Sequence, residues 1–175
     1  MFNFRNSIPK LLLNSFRISF LATFLATSSL LLVQSFVKSA QAGSEPEIFE
    51  NVTITPGQQP STVTVRGISG GSVETKNKAG TQGTDTGACA GFVDELPDHI
   101  MTLTEFFNFL SVKVRSSGDT TLLVDGPGGT WCNDDSSGVD PAIAGQWLEG
   151  EYKIWVGSHE QDQYHPYVIQ IKIAQ

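Results

Sequence analysis

Apolar residues recur at every second position in a series of short runs, and turn-forming residues separate those runs. Val52 and Ile54, Val63 and Val65, Val112 and Val114, and Leu122 and Val124 alternate with polar neighbours. Tyr152, Ile154 and Val156 alternate with Lys153 and Trp155, and Tyr167, Ile169, Ile171 and Ile173 alternate with Val168, Gln170 and Lys172. Successive side chains of an extended strand point to opposite faces, so a period of two builds a sheet with one apolar face. Pro56-Gly57, Gly70-Gly71, Gly126-Pro127-Gly128-Gly129 and Gly157-Ser158 punctuate the runs with residues suited to turns. Short strands in this number, with turns between them, predict an all-β sandwich or barrel with one wet face on each strand. No convincing amphipathic helix appears: the best candidate, 103–110, is short and dense in Phe, and the Gly-, Thr- and Lys-rich stretch 67–88 reads as one long mobile loop.

The first 42 residues hold Arg5, Lys10, Arg17 and Lys38 but no acid. An apolar run over 18–33 follows Arg17, and Ala40-Gln41-Ala42 offers a small-x-small cleavage pattern before Gly43. Basic head, apolar middle and small-residue exit predict a signal peptide over 1–42. An uncleaved anchor is the competing reading, because the run is slightly long and Lys38 sits close to the cut. A spanning helix needs about 20 apolar residues, and Thr27, Ser28 and Ser29 dilute this run. No Cys follows the run, which argues against a lipid anchor. The protein is therefore expected in the periplasm, at the cell surface or released, with no membrane contact after cleavage and a monomer by default.

Removing 42 of the 175 residues leaves 133, enough for a single domain with a real core. All 18 acids and seven of the 11 bases lie in that part, so its net charge is −11 against −7 for the whole chain. Such a surface repels phosphate backbones, which excludes nucleic acid as the expected partner. Divalent cations are the more natural counterpart, the bland alternative being a solvated acidic surface.

Both cysteines, Cys89 and Cys132, fall in the exported part, and an even count in an oxidising compartment predicts a disulfide between them. A thiol nucleophile would need a basic partner and protection from oxidation, and His99 is the one histidine between the two cysteines.

The segment from Asp125 to Asp140 joins a tight Gly-Pro-Gly-Gly turn to Asn133-Asp134-Asp135 and a Ser-Ser-Gly loop. Calcium takes six to eight oxygen ligands from carboxylates, amides and carbonyls. Asp125, Asn133, Asp134, Asp135 and Asp140 are the candidate calcium ligands at one sheet end. The acids do not alternate as an EF-hand loop requires, and neighbouring side chains on a straight strand cannot face one ion, so a curved loop is needed. The competing reading is that Asp and Asn are ordinary turn residues here.

Four pieces of the chain, Asp119-Thr120-Thr121-Leu122, Gly126-Pro127-Gly128-Gly129, Cys132-Asn133-Asp134-Asp135 and 150–157, resemble the bacterial pre-peptidase C-terminal domains and their stand-alone relatives. The likeness covers about 89–173. It implies a single antiparallel β-sandwich of jelly-roll type, often calcium-stabilised, in a secreted and non-catalytic module. The domain then divides into N-terminal strands and a flexible loop over 43–88 and the sandwich core over 89–175. Carried over by position, Asp125, Asp134 and Asp135 match the acidic turn region of that family. No protease domain accompanies the module within this chain, so the partner stays open.

If Tyr152, Ile154 and Val156 face the core, period two turns Trp155 outward. Trp155 and Trp131 are accordingly the candidate ligand-binding residues, since exposed tryptophan stacks on sugars or anchors interfaces. Trp147 is a further candidate for that surface, and burial of these rings under a sheet edge or the 67–88 loop is the competing reading. His99, His159 and His165 lack zinc-ligand spacing, and His99 after Pro97-Asp98 reads as a turn residue. No Gly-x-Ser-x-Gly elbow is present. The expected function is a non-catalytic module, not an enzyme, that attaches to extracellular polysaccharide or protein. A partner or inhibitor-like accessory of an exported protease is the alternative, and a small hydrolase a more distant one.

Overall fold

The computed structural model describes residues 49–58 and 60–173; the expected signal segment and its cleavage point lie outside the described residues. Thirteen strands and one short helix follow in order: β1 (Val52–Ile54), β2 (Thr62–Ile68), β3 (Val73–Glu74), α1 (Thr75–Ala79), β4 (Gly83–Thr84), β5 (Gly87–Ala88), β6 (Phe92–Val93), β7 (His99–Leu103), β8 (Phe107–Ser116), β9 (Thr120–Gly126), β10 (Gly129–Asn133), β11 (Ala142–Trp147), β12 (Gly150–Ser158) and β13 (Pro166–Ile173). Every run read from the alternation is a strand. Two sheets face each other. The smaller is β11-β8-β13-β2, antiparallel throughout. The larger centres on β12, with β9 and then β10 on one edge, and β7 and β6 on successive stretches of the other. β1 extends it beyond β7 as a parallel neighbour, and β3 pairs with β6.

The core lies between the sheets. Leu110, Val112, Val114, Ile169 and Ile171 of one sheet meet Met101, Leu103, Leu122, Val124 and Ile154 of the other, all fully buried. Each such side chain contributes about 1.5–3 kcal/mol by leaving water, which is why the alternation dictates register so strongly.

Two expectations are corrected, and the weak helical candidate over 103–110 is resolved as the end of β7 and the start of β8. Residues 103–110 do not form a helix. Between the Gly145–Leu110 and Trp147–Phe107 pairs, β8 carries two residues against one on β11. That bulge sends Phe107 and Leu110 to the same buried face three residues apart, the spacing of a helix. The segment 67–88 is not one long loop either, because it ends β2 and holds β3, α1, β4 and β5. Finally, Trp155 is 6% exposed. It stands opposite Leu123 on the outer face of the larger sheet, where Val73, Ala79, Val93 and the Cys89–Cys132 disulfide cover both. The wet face expected there is a second, smaller core.

The expected disulfide is present, with Cα atoms 5.0 Å apart across a separation of 43 residues. Thr84 and Thr86 reinforce it: the Cys132 amide donates to Thr84 Oγ1 at 3.0 Å, and Thr86 Oγ1 donates to the Cys132 carbonyl at 2.7 Å. No helix among the described residues is long and apolar enough to cross a membrane.

Candidate functional site

The β9–β10 hairpin organises both candidate sites, one at each of its ends. Its register pairs Asp125 with Thr130 near the turn and Asn133 with Leu122 at the open end. Those two pairs lie three residue steps apart along the strands, about 10 Å. The five expected calcium ligands therefore do not surround a common point, and that set is corrected. Asp125 accepts from Thr130 Oγ1 at 2.7 Å. The Asn133 amide is spent on the backbone, donating to Thr86 O at 2.7 Å and accepting from Ala142 N at 2.9 Å. Asp140 pairs with Arg115 at 2.7 Å, and Asp135 is exposed. A curved loop has to bring neighbouring acids together, and here Thr130 engages Asp125, Arg115 engages Asp140 and Asp135 faces solvent.

Asp134 alone of the five joins a convergent group, with Asp119 and His159, whose ligand atoms lie within 4.8 Å of one another. Three connections supply it: the β8–β9 turn, the chain after β10 and the chain after β12. The His159 amide donates to the Asp119 carbonyl at 3.1 Å, which continues the β9–β12 ladder by one residue. His159 Nδ1 stands 3.4 Å from Asp134 Oδ2. Burial raises the Asp134 pKa, while the neighbouring imidazole pulls it back. Spacing rules could not find His159 and Asp119, because the three residues meet only through strand register.

At the turn end, a cleft of about 400 Å³ opens beside Pro127-Gly128. Trp131, Trp147 and Tyr152 form its aromatic floor, with ring centroids 6.1, 6.3 and 5.0 Å apart. Trp147 and Tyr152 are buried and their polar tips face inward: Trp147 Nε1 donates to Leu110 O at 3.0 Å and Tyr152 Oη to Leu148 O at 2.9 Å. Trp131 is half-buried, and Phe106 (46% exposed) and Leu148 (49% exposed) rim the opening. Gln146 and Thr86 add polar groups to the wall. Among the described residues lining the cleft there is no carboxylate, imidazole, ammonium or thiol. Burial raises the Tyr152 pKa, so its hydroxyl stays protonated. The arrangement offers apolar and aromatic surface with a few hydrogen-bonding groups, and nothing that exchanges a proton near neutral pH. Of the two tryptophans expected at a binding face, Trp131 is here and Trp155 is not.

A third polar group is internal. His99, expected in a turn, opens β7 and is buried. Its Nδ1 lies 2.7 Å from the Glu50 carbonyl, so Nδ1 carries the proton and Nε2 accepts from Tyr167 Oη at 2.8 Å. Burial lowers the His99 pKa.

No protein-family model matches the chain. An uncharacterized protein of Synechococcus elongatus is 31% identical over 97 residues, which span 53% of this chain and 72% of that protein. Among solved structures, the pre-peptidase C-terminal domain of a Bacillus anthracis collagenase is similar with a TM-score of 0.42 and 12% identity, over 73% of this chain and 98% of that domain. Aeromonas hydrophila PliG, a periplasmic inhibitor of g-type lysozyme, has a TM-score of 0.38 and 16% identity, over 71% of this chain and 98% of its own. At these TM-scores the likeness is loose, and the two sites above stand on their own geometry.

Proposed function

This chain belongs to the family of the Synechococcus elongatus protein, and we propose that it is an exported, non-catalytic binding module that holds neutral polysaccharide outside the cell. The aromatic cleft carries this reading. A pyranose ring presents a patch of C–H groups that packs on an indole face, and Trp131 offers such a face beside the Gln146 and Thr86 polar groups. The lining has binding groups without proton-exchanging ones, which supports attachment over hydrolysis. The net charge of −11 after residue 42 favours uncharged polymers over acidic ones, and disfavours nucleic acid. The disulfide and its burial support a compartment outside the cytoplasm.

Co-sedimentation with insoluble neutral polysaccharides, alongside an acidic polysaccharide, tests the reading. The protein should be retained by at least one neutral polymer and not by the acidic one. Trp131→Ala should weaken retention at least about tenfold, the equivalent of ~1.4 kcal/mol, while Tyr164→Ala, exposed and outside the cleft, leaves it unchanged. Retention indifferent to Trp131→Ala, or capture of protein in place of glycan, would defeat it.

A further inference from the structure

We propose that Asp119, Asp134 and His159 form a binding site for a divalent transition-metal ion of the zinc class. The site stands at the opposite end of the β9–β10 hairpin from the aromatic cleft and does not depend on it.

The geometry is the first ground. The His159 Nδ1 to Asp134 Oδ2 separation, 3.4 Å, is longer than an ordinary N–H···O hydrogen bond. It matches the edge of a ligand tetrahedron around zinc, about 3.3 Å for bonds of about 2.0–2.1 Å. The third ligand, from Asp119, falls within 4.8 Å of both, so a small inward movement of side chains completes a three-ligand set.

Unsatisfied oxygens are the second ground. Asp119 Oδ1 and Asp134 Oδ1 are both shielded from solvent, and neither has a hydrogen-bond partner. Buried polar atoms without partners are costly, and two carboxylates brought together raise that cost through mutual repulsion. The half-exposed imidazole of His159 satisfies one oxygen of Asp134 at most. A dication between the three groups satisfies all of them.

Preorganisation is the third. Asp119 and His159 are joined through the backbone, and Asp134 follows Cys132 and Asn133, which are held by the disulfide and by Thr86. The ligands thus sit on strand ends that are already tied. Asp119 and His159 also line a cleft of about 230 Å³ with Glu160, Gln163 and His165, which gives an ion an entry path and room for water as a fourth ligand.

The donor set decides the class of ion. Calcium takes six to eight oxygens, whereas an imidazole with two carboxylates in a compact three-ligand set suits zinc. Bound there, the ion would cross-link three connections at one end of the sandwich.

The test uses protein purified after expression of the full chain and stripped with chelator. Isothermal titration with zinc, and visible absorption of the cobalt(II) form, read the site without reference to any polysaccharide. We expect one zinc per chain, a tetrahedral cobalt spectrum, and a rise in unfolding midpoint with zinc that calcium does not reproduce. His159→Ala, at an exposed position that should leave folding intact, should weaken zinc at least about tenfold, and Asp134→Asn should act in the same direction. Asp125→Asn should bind as the parent does. Absence of zinc binding, binding unaffected by His159→Ala, or a midpoint that responds to calcium alone would each overturn the assignment.

Discussion

One carboxylate oxygen of Asp98 accepts the Val156 amide at 2.7 Å, whereas the other is buried and has no hydrogen-bond partner. Burial pushes the Asp98 pKa up from 3.8 to about 7, against the opposing pull of the Val156 hydrogen bond, with Asp94 adding to the rise. The folded state therefore holds a proton that the unfolded state releases. The stability this confers is fully present below the unfolded value of 3.8 and is lost as pH rises through about 7. Asp98→Asn keeps an acceptor for Val156 and removes the titration. The melting-point difference between variant and parent should shift in favour of the variant between about pH 5 and about pH 8; a difference independent of pH would count against the buried-carboxyl account. His99 titrates in both proteins and so largely cancels from that difference. Nothing in Pro97-Asp98-His99 distinguishes this interior cluster from a turn, because burial of those side chains depends on β12 and β13, more than fifty residues away.

At the scale of elements, the alternating runs of β1, β2, β9, β12, β13 and the second half of β8 were legible, whereas β7, β11, the first half of β8 and the two-residue strands were not. A run such as Tyr167–Ile173 repeats its alternation often enough to be read, whereas β3, β4, β5 and β6 have two residues each and no period to display. α1, at five residues, is below the length at which a helical stripe shows. Of these fragments, β3, α1 and β6 cover Leu123 and Trp155 together with Cys89, and the disulfide ties that cover to β10. Lys78 lies over the Trp155 ring, 5.7 Å from its centroid. Closing a loop with a separation of 43 residues restricts the unfolded chain, worth about 4 kcal/mol in the chain-entropy view. The double variant Cys89→Ser, Cys132→Ser should lose about that much stability in chemical denaturation. Its tryptophan emission in the folded state should move to the red as the cover over Trp155 loosens. An unchanged spectrum would mean that α1 and the β3–β6 pairing hold the cover without the disulfide.

Across the whole molecule, the sheet order joins distant parts of the chain. β13, the last strand, lies between β8 and β2 in the smaller sheet and supplies Ile169 and Ile171 to the core. A chain ending at His165 would leave β2 and β8 with unpaired edges and uncover the facing side of the larger sheet. It should show no cooperative unfolding transition by circular dichroism, and a transition like that of the full chain would show that the larger sheet is stable alone. The alternation of apolar residues determined by itself that the chain forms strands, roughly where they run, and which side chains seek a core. The two cysteines likewise allowed a single intramolecular pairing. Only the tertiary structure decided which outer face is covered, which acids meet, and which tryptophan borders a cleft. Trp155 follows the same alternation as a solvent-facing residue until the 73–93 segment folds across it. Asp119, Asp134 and His159 come together because β9 pairs with both β10 and β12 in fixed register. Strand formation is a local consequence of pleat and side-chain period, but convergence of side chains is set by hydrogen-bonded register between segments far apart in the chain.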